Sequence, residues 1–185
     1  MKILKIILIF PIVLLVLVLV IALIVPSKYV AKREVLINKP LVEVFNYLKY
    51  LKNQDDFSAW AKMDSSMKKA YKGTDGTVGF IGSWDSQNPN VGAGEQELKQ
   101  IVEGKRIDSE LRFVRPLKTK AQMYMTTERI NANKTKVLWS FEGKIDYPMN
   151  IVLLIFDAPK AIGNDFEIGL RHLKQLLERK GDVQG

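Results

Sequence analysis

Ile162-Gly163-Asn164-Asp165-Phe166-Glu167-Ile168-Gly169-Leu170-Arg171-His172-Leu173-Lys174-Gln175-Leu176-Leu177 is the stretch that decides how this chain folds. Ile162, Phe166, Leu170, Leu173 and Leu177 recur at intervals of three and four, with Asp, Arg, Lys and Glu between them. That spacing predicts one long amphipathic helix with a single apolar stripe. Upstream, from about residue 67 to residue 145, the pattern has period two instead. Over residues 106–114 the alternation is clean: Ile107, Leu111 and Phe113 on one face, Asp108, Glu110 and Arg112 on the other. Strands are expected at residues 67–71, 77–84, 91–102, 106–114, 119–130 and 135–145. Lys72-Gly73, Asp75-Gly76, Glu103-Gly104-Lys105 and Asn131-Ala132-Asn133-Lys134 supply the turns.

Towards the N-terminus, residues 29–38 are rich in β-branched side chains and read as a further strand. Pro40 suits the first turn of a helix over residues 41–51, where Val44, Tyr47, Leu48 and Leu51 keep helical spacing. Residues 53–60 are loop or short helix. The order is strand, helix, a run of antiparallel strands and one closing helix, which is an α+β domain. A sheet must bury its inner face, and the closing helix is the element with enough apolar stripe to cover it.

Residues 6–25 contain no charged and no strongly polar side chain. As a helix they would span about 30 Å, the thickness of a bilayer's hydrocarbon core. Pro11 falls early enough to be tolerated, Pro26 ends the run, and no small-residue cleavage site follows. The expectation is an uncleaved, single-pass transmembrane helix within residues 1–26, a domain over residues 29–179, and a flexible tail at 180–185. Lys2 and Lys5 oppose Lys28, Lys32, Arg33 and Lys39 across the segment. The short basic leader resembles a signal-anchor, which would place the domain outside the cytoplasm.

Composition removes whole classes of chemistry. The 185 residues include no cysteine and one histidine, so disulfides, thiolate nucleophiles and the usual zinc sites are excluded, and no metal or other cofactor is expected. The net charge of +8 favours anionic surfaces, lipid headgroups or nucleic acid. The lysines stand singly or in pairs with acidic residues between many of them, which argues against nucleic acid. Gly92-Ala93-Gly94 is not a dinucleotide fingerprint, because Glu97 stands where the third glycine belongs and strands follow. Gly73, Gly76, Gly92 and Gly94 read as turn residues or sheet kinks.

Several segments, in order, resemble the START/Bet v 1-like superfamily, in particular its bacterial polyketide cyclase/dehydrase-like (SRPBCC) branch. They are Ile37-Asn38-Lys39-Pro40 through Val44-Phe45, Trp60 with Asp64, and Tyr71-Lys72-Gly73. Gly79 to Trp84 followed by Val91-Gly92-Ala93-Gly94, then Thr135-Lys136-Val137-Leu138-Trp139, and the 162–170 stretch complete the set. The likeness runs over residues 30–178. It implies a helix-grip fold, a curved seven-stranded antiparallel sheet wrapped around the C-terminal helix, often with a cavity for a hydrophobic molecule between them. Ser65 after Asp64, where relatives often have proline, and Phe57, where tryptophan is common, imply a changed cavity mouth. The family shares no catalytic motif.

The candidate ligand-binding residues are Trp60, Trp84, Phe113, Met123, Met125, Trp139, Phe141 and Phe166, large apolar side chains of the kind that line small-molecule pockets. Taken singly, each reads better as a core residue; taken together they favour a cavity, because a strongly curved sheet over one helix is hard to fill completely. No catalytic residue is assigned. Asp64, Asp85 and Glu142 are the carboxylates expected nearest the loop mouths, Glu128 is expected to face solvent, and His172 falls off the helix's apolar stripe. Three functions follow: a membrane-tethered, non-enzymatic binder of a hydrophobic small molecule or lipid; a cyclase- or hydrolase-like enzyme using the same cavity; or a protein-interaction module. The oligomeric state is not legible.

Overall fold

The computed structural model describes residues 2–179, with side chains from Phe10 onward. A helix α1 (Lys2–Ile24) leads into strand β1 (Lys28–Ile37). Three helices follow, α2 (Leu41–Leu48), α3 (Gln54–Phe57) and α4 (Ala59–Met63), with a 3-10 turn at Leu51–Asn53. Strands β2 (Lys68–Lys72), β3 (Ile81–Asp85), β4 (Ala93–Val102), β5 (Arg106–Arg115), β6 (Thr119–Asn131) and β7 (Lys134–Lys144) come next. A 3-10 helix at Met149–Leu154 leads into α5 (Ala158–Arg179).

The seven strands form one antiparallel sheet in the order β1-β7-β6-β5-β4-β3-β2. Residues 38–67 therefore carry the chain from one edge of the sheet to the other, and α2, α3 and α4 are that crossover. Sequential hairpins then zip the sheet back until β7 meets β1, with Ala31 opposite Phe141 and Ile37 opposite Thr135. Register shifts in β4 at Ala93/Gly94 and Leu98/Gln100, and in β6 at Arg129/Asn131, are bulges of the kind that bend a sheet. The expected strand over residues 77–84 is shorter than its pattern. Residues 77–80 form a turn, with the Phe80 N–H donating to the Thr77 carbonyl, and the strand is Ile81–Asp85, although Gly79 and Phe80 still share backbone hydrogen bonds with Leu98 of β4.

Helix α5 lies on the inner face against β1 and β7, with α3 and α4 beside it. Its stripe is buried as the spacing requires: Phe166, Leu170, Leu173 and Leu177 are inside and Ile162 packs against them. Burying side chains of this size contributes about 1.5–3 kcal/mol each. The centre of the core is Trp139. Its ring stacks on Phe166 at 4.3 Å between centroids, and Phe57 meets it edge-on at 5.6 Å. Phe57 is completely buried, so its departure from the family pattern alters the core rather than the cavity mouth. Gly169 makes the Trp139 contact possible: a Cβ there would lie 2.9 Å from the indole ring.

The outer face of the sheet is charged. Arg112 is held by Glu95, Glu97 and Glu110, and Arg106 forks onto Asp108 while lying over the Tyr124 ring. Glu128, exposed and paired with Lys136, belongs to this face, and so does Glu142.

The transmembrane expectation is overturned. Among the described residues no helix is long and apolar enough to cross a membrane. The last turn of α1 is instead tied to the domain. Asn150, buried in the 3-10 helix before α5, donates its amide N–H groups to the Ala22 and Val25 carbonyls at 2.8 Å each, and Ala22 is 1% exposed. With the span goes the single-pass membrane localisation and the extracytoplasmic placement derived from it. Residues 6–9 of the expected anchor, and the expected tail at 180–185, lie outside the described side chains and residues respectively.

Two glycines of α5 face different neighbours, and this separates their substitutions. Gly169→Ala drives a methyl into an indole pinned between Phe166 and Phe57. Strain of about 1–3 kcal/mol then outweighs the ~1 kcal/mol gained in helix propensity. At Gly163 the three atoms nearest the new methyl all belong to the movable Arg33 guanidinium. Urea unfolding is expected to show Gly169→Ala less stable by about 1 kcal/mol, and Gly163→Ala as stable as the parent or more so by up to about 1 kcal/mol.

Candidate functional site

Between the concave face of the sheet and the helices lies a cavity of about 370 Å³, within the usual range for small-molecule sites. Curvature produces it: the bulged β4 and the far strands arch away from α5, which packs closely only on β1 and β7.

Seven of the eight candidate residues line it. Trp139 and Phe166 form its deep end, and Trp60 on α4 stands edge-on to both, at 6.4 and 5.8 Å between centroids. Met123 and Phe141 present themselves from β6 and β7. Trp84 and Phe113 meet edge to face at 5.8 Å on the side of β3 and β5. Met125 is different. It is buried on the same face of β6, at the end where α2 packs, and it does not reach the cavity wall.

Other lining residues were not among the candidates. Tyr29, at the start of β1, stacks on Phe141 at 6.0 Å and lies over Gly143, where a Cβ would collide with its ring. Gln96 points inward from β4 and is 8% exposed. Tyr71, Met67 and Leu111 also contribute. Continuing the period-two reading through β4 would have found Gln96, since it shares its face with the buried Leu98.

Charges sit at the rim. Asp55 accepts a hydrogen bond from the Tyr71 hydroxyl at 3.0 Å and pairs with Lys69 at 2.8 Å. Arg115 pairs with Asp85 and donates to the Ser86 carbonyl at 3.2 Å. Lys120 and Lys144 complete the rim, and all four basic residues are exposed. Burial, then the neighbouring Asp55 carboxylate, pushes the Tyr71 phenol up to about 12. Burial alone raises that of Tyr29. Both tyrosines therefore stay protonated at neutral pH and act as hydrogen-bond donors rather than bases.

One loop closes the rim through a small hydrogen-bond latch. Asp64 accepts from the Ser66 N–H at 2.9 Å, from the Ser66 hydroxyl at 2.6 Å, and from the hydroxyl of the buried Ser86. Ser86 in turn accepts from the Asn88 N–H at 3.0 Å. Gly92, at φ +65°, lets this loop touch the backbone of Arg115, whose carbonyl oxygen would lie 2.2 Å from an added Cβ. Asp64 and Asp85 thus belong to the mouth as expected from their loops, whereas Glu142 is turned to the outer face.

His172 is half-buried, its Nδ1 3.2 Å from the Lys62 ammonium and 3.4 Å from the Phe57 carbonyl oxygen, and it does not line the cavity. Among the described residues no group of three or more His, Asp or Glu side chains is placed to hold a metal ion.

Compared by sequence, the chain matches no family model and no curated protein. Solved structures do share its fold. A protein of unknown function from Staphylococcus aureus superposes with a TM-score of 0.62 at 12% identity, covering 84% of this chain and 96% of that one. A Chromobacterium violaceum protein gives 0.57 at 15% identity, covering 83% and 98%. DynU16, from the dynemicin biosynthetic locus, gives 0.56 at 12% identity, covering 83% of this chain and 48% of its own. These likenesses establish the architecture, a helix-grip-like α+β domain with a seven-stranded antiparallel sheet and a C-terminal helix.

The latch predicts how the mouth responds to acid. Hydrogen bonds from Ser66 and Ser86 hold the Asp64 carboxyl below its ordinary range. Its contribution is therefore complete above the unfolded-state value of about 3.9 and is lost as pH falls through the lower folded value. Amide hydrogen exchange over residues 86–92 is expected to stay slow from pH 7 to pH 5 and to quicken below about pH 4. In Asp64→Ala it is fast at every pH, while strands β5–β7 keep their protection.

Proposed function

We propose that this domain is a non-enzymatic binder that takes up a hydrophobic small molecule between the sheet and α5. The observation that supports the reading is the cavity of about 370 Å³, walled by Trp60, Trp84, Phe113, Phe141 and Phe166. Aromatic walls offer large apolar area and stacking faces, each ring pair adding about 0.5–1.5 kcal/mol beyond burial. An enzyme in the same cavity would need a base or nucleophile inside it. The interior polar side chains are instead neutral, and the two tyrosines are held protonated. A lipid acyl chain and a ring compound are both of suitable character, and the rim cations would meet an anionic or polar end projecting from the mouth.

Native mass spectrometry of the chain purified from cells, under gentle desolvation, tests the reading. The expected spectrum contains a protein species heavier by one small apolar molecule, which is released on denaturation and recovered in the organic extract. A chain that is consistently empty, and that fails to take up any added apolar probe, would contradict the proposal.

A further inference from the structure

The cavity wall carries an unusual set of polar groups. The Gln96 side-chain amide nitrogen and the Trp139 indole nitrogen are both buried and have no hydrogen-bond partner among the described residues. Gln96 makes no side-chain hydrogen bond to any described group, and neither does the Tyr29 hydroxyl. All three side chains line the cavity. A buried amide or hydroxyl left unpaired is costly in free energy, and native proteins seldom leave one so. Two on residues of a single wall, Gln96 and Trp139, with no partner among the described residues, and beside them the half-buried Tyr29 hydroxyl, mark the place where a bound molecule supplies the missing partners.

Their chemistry limits that molecule. Each group donates an N–H or O–H, so the molecule must offer acceptors, and none of the three is ionised. The basic lining residues Lys69, Arg115, Lys120 and Lys144 are exposed at the rim, and the half-buried Asp55 is paired with Lys69, so an ionised group placed deep in the cavity would lose its hydration without gaining a counter-charge. Gln96 on β4 is three strands from Trp139 on β7, about 14 Å along the sheet at ordinary strand spacing. Tyr29, next to β7 on β1, lies on the Trp139 side. Donors therefore stand on both flanks of a largely apolar chamber.

We infer that the ligand is an uncharged apolar compound bearing carbonyl, ester or hydroxyl oxygen, and that Gln96 is the residue that selects for that oxygen. This rests on the ligand-cavity reading above and deepens it. Gln96 acts as a specificity determinant, with Tyr29 as the second anchor on the opposite flank.

Three probes of one shape test it by quenching of tryptophan fluorescence in the full chain: 2-ethylnaphthalene, 2-acetylnaphthalene and 2-naphthoate. The ketone is expected to bind about tenfold more tightly than the hydrocarbon, the gain from satisfying one buried donor. Gln96→Leu should bring that ratio close to one, with far-UV circular dichroism checking that the variant is folded; Gln96→Met serves if Gln96→Leu does not fold. Equal affinity of the parent for ketone and hydrocarbon, tightest binding of naphthoate, or a ratio unchanged in the variant would overturn the inference while leaving the cavity reading in place. Binding of none of the three would overturn both.

Discussion

The stack of Trp139 on Phe166 is the contact on which the rest of the structure depends. It joins the middle of β7 to the middle of α5 at 4.3 Å, with Phe57 and Trp60 bracing the indole edge-on. Gly169 removes the one side chain that would hold helix and sheet apart at that point. On one side the stack closes the core formed by Val137, Leu170, Leu173 and Leu177. On the other it is the deep wall of the cavity. One aromatic pair thus sets both the seal of the core and the depth of the chamber, because the sheet bends away from α5 beyond it.

Polarity then follows position. The outer face of the sheet spends its charges on one another, with Arg112 answered by three glutamates, and contributes nothing to the chamber. The rim pairs its carboxylates with Lys69 and Arg115 and latches its loop through Asp64 and Ser86. Only neutral groups are left inside. On the binding reading, such a chamber holds a molecule by apolar contact together with the neutral hydrogen-bonding groups among the described residues of its wall.

Much of this is written plainly in the sequence. The three-and-four spacing of α5 and the alternation of β5 and β7 fix which residues face inward, and that is why seven of the eight candidates line one cavity. Met125 shares the face of Met123 yet misses the wall, because α2 packs at that end of β6. Pattern alone does not reveal where a covering helix stops. Gln96 and Tyr29 carry polar groups, so an apolarity criterion passes over them, although alternation places them inside. The N-terminal helix shows the opposite difficulty. Its apolar run reads as a span in sequence, but among the described residues no helix is long and apolar enough to cross a membrane, and Asn150, 128 residues away from Ala22 in sequence, ties its last turn to the domain. No local pattern announces such a bond.

The methionines offer the most direct test of the central claim that the gap between sheet and α5 is the binding chamber. Met67 and Met123 line it, Met125 is buried outside it, and Met63 and Met149 are exposed elsewhere. Methyl NMR of the chain labelled at methionine, titrated with 2-acetylnaphthalene, is predicted to shift the Met67 and Met123 signals strongly and together, with Met125, Met63 and Met149 nearly unmoved. Shifts concentrated at Met149 or Met63, with Met123 unchanged, would place binding on the surface and contradict the account.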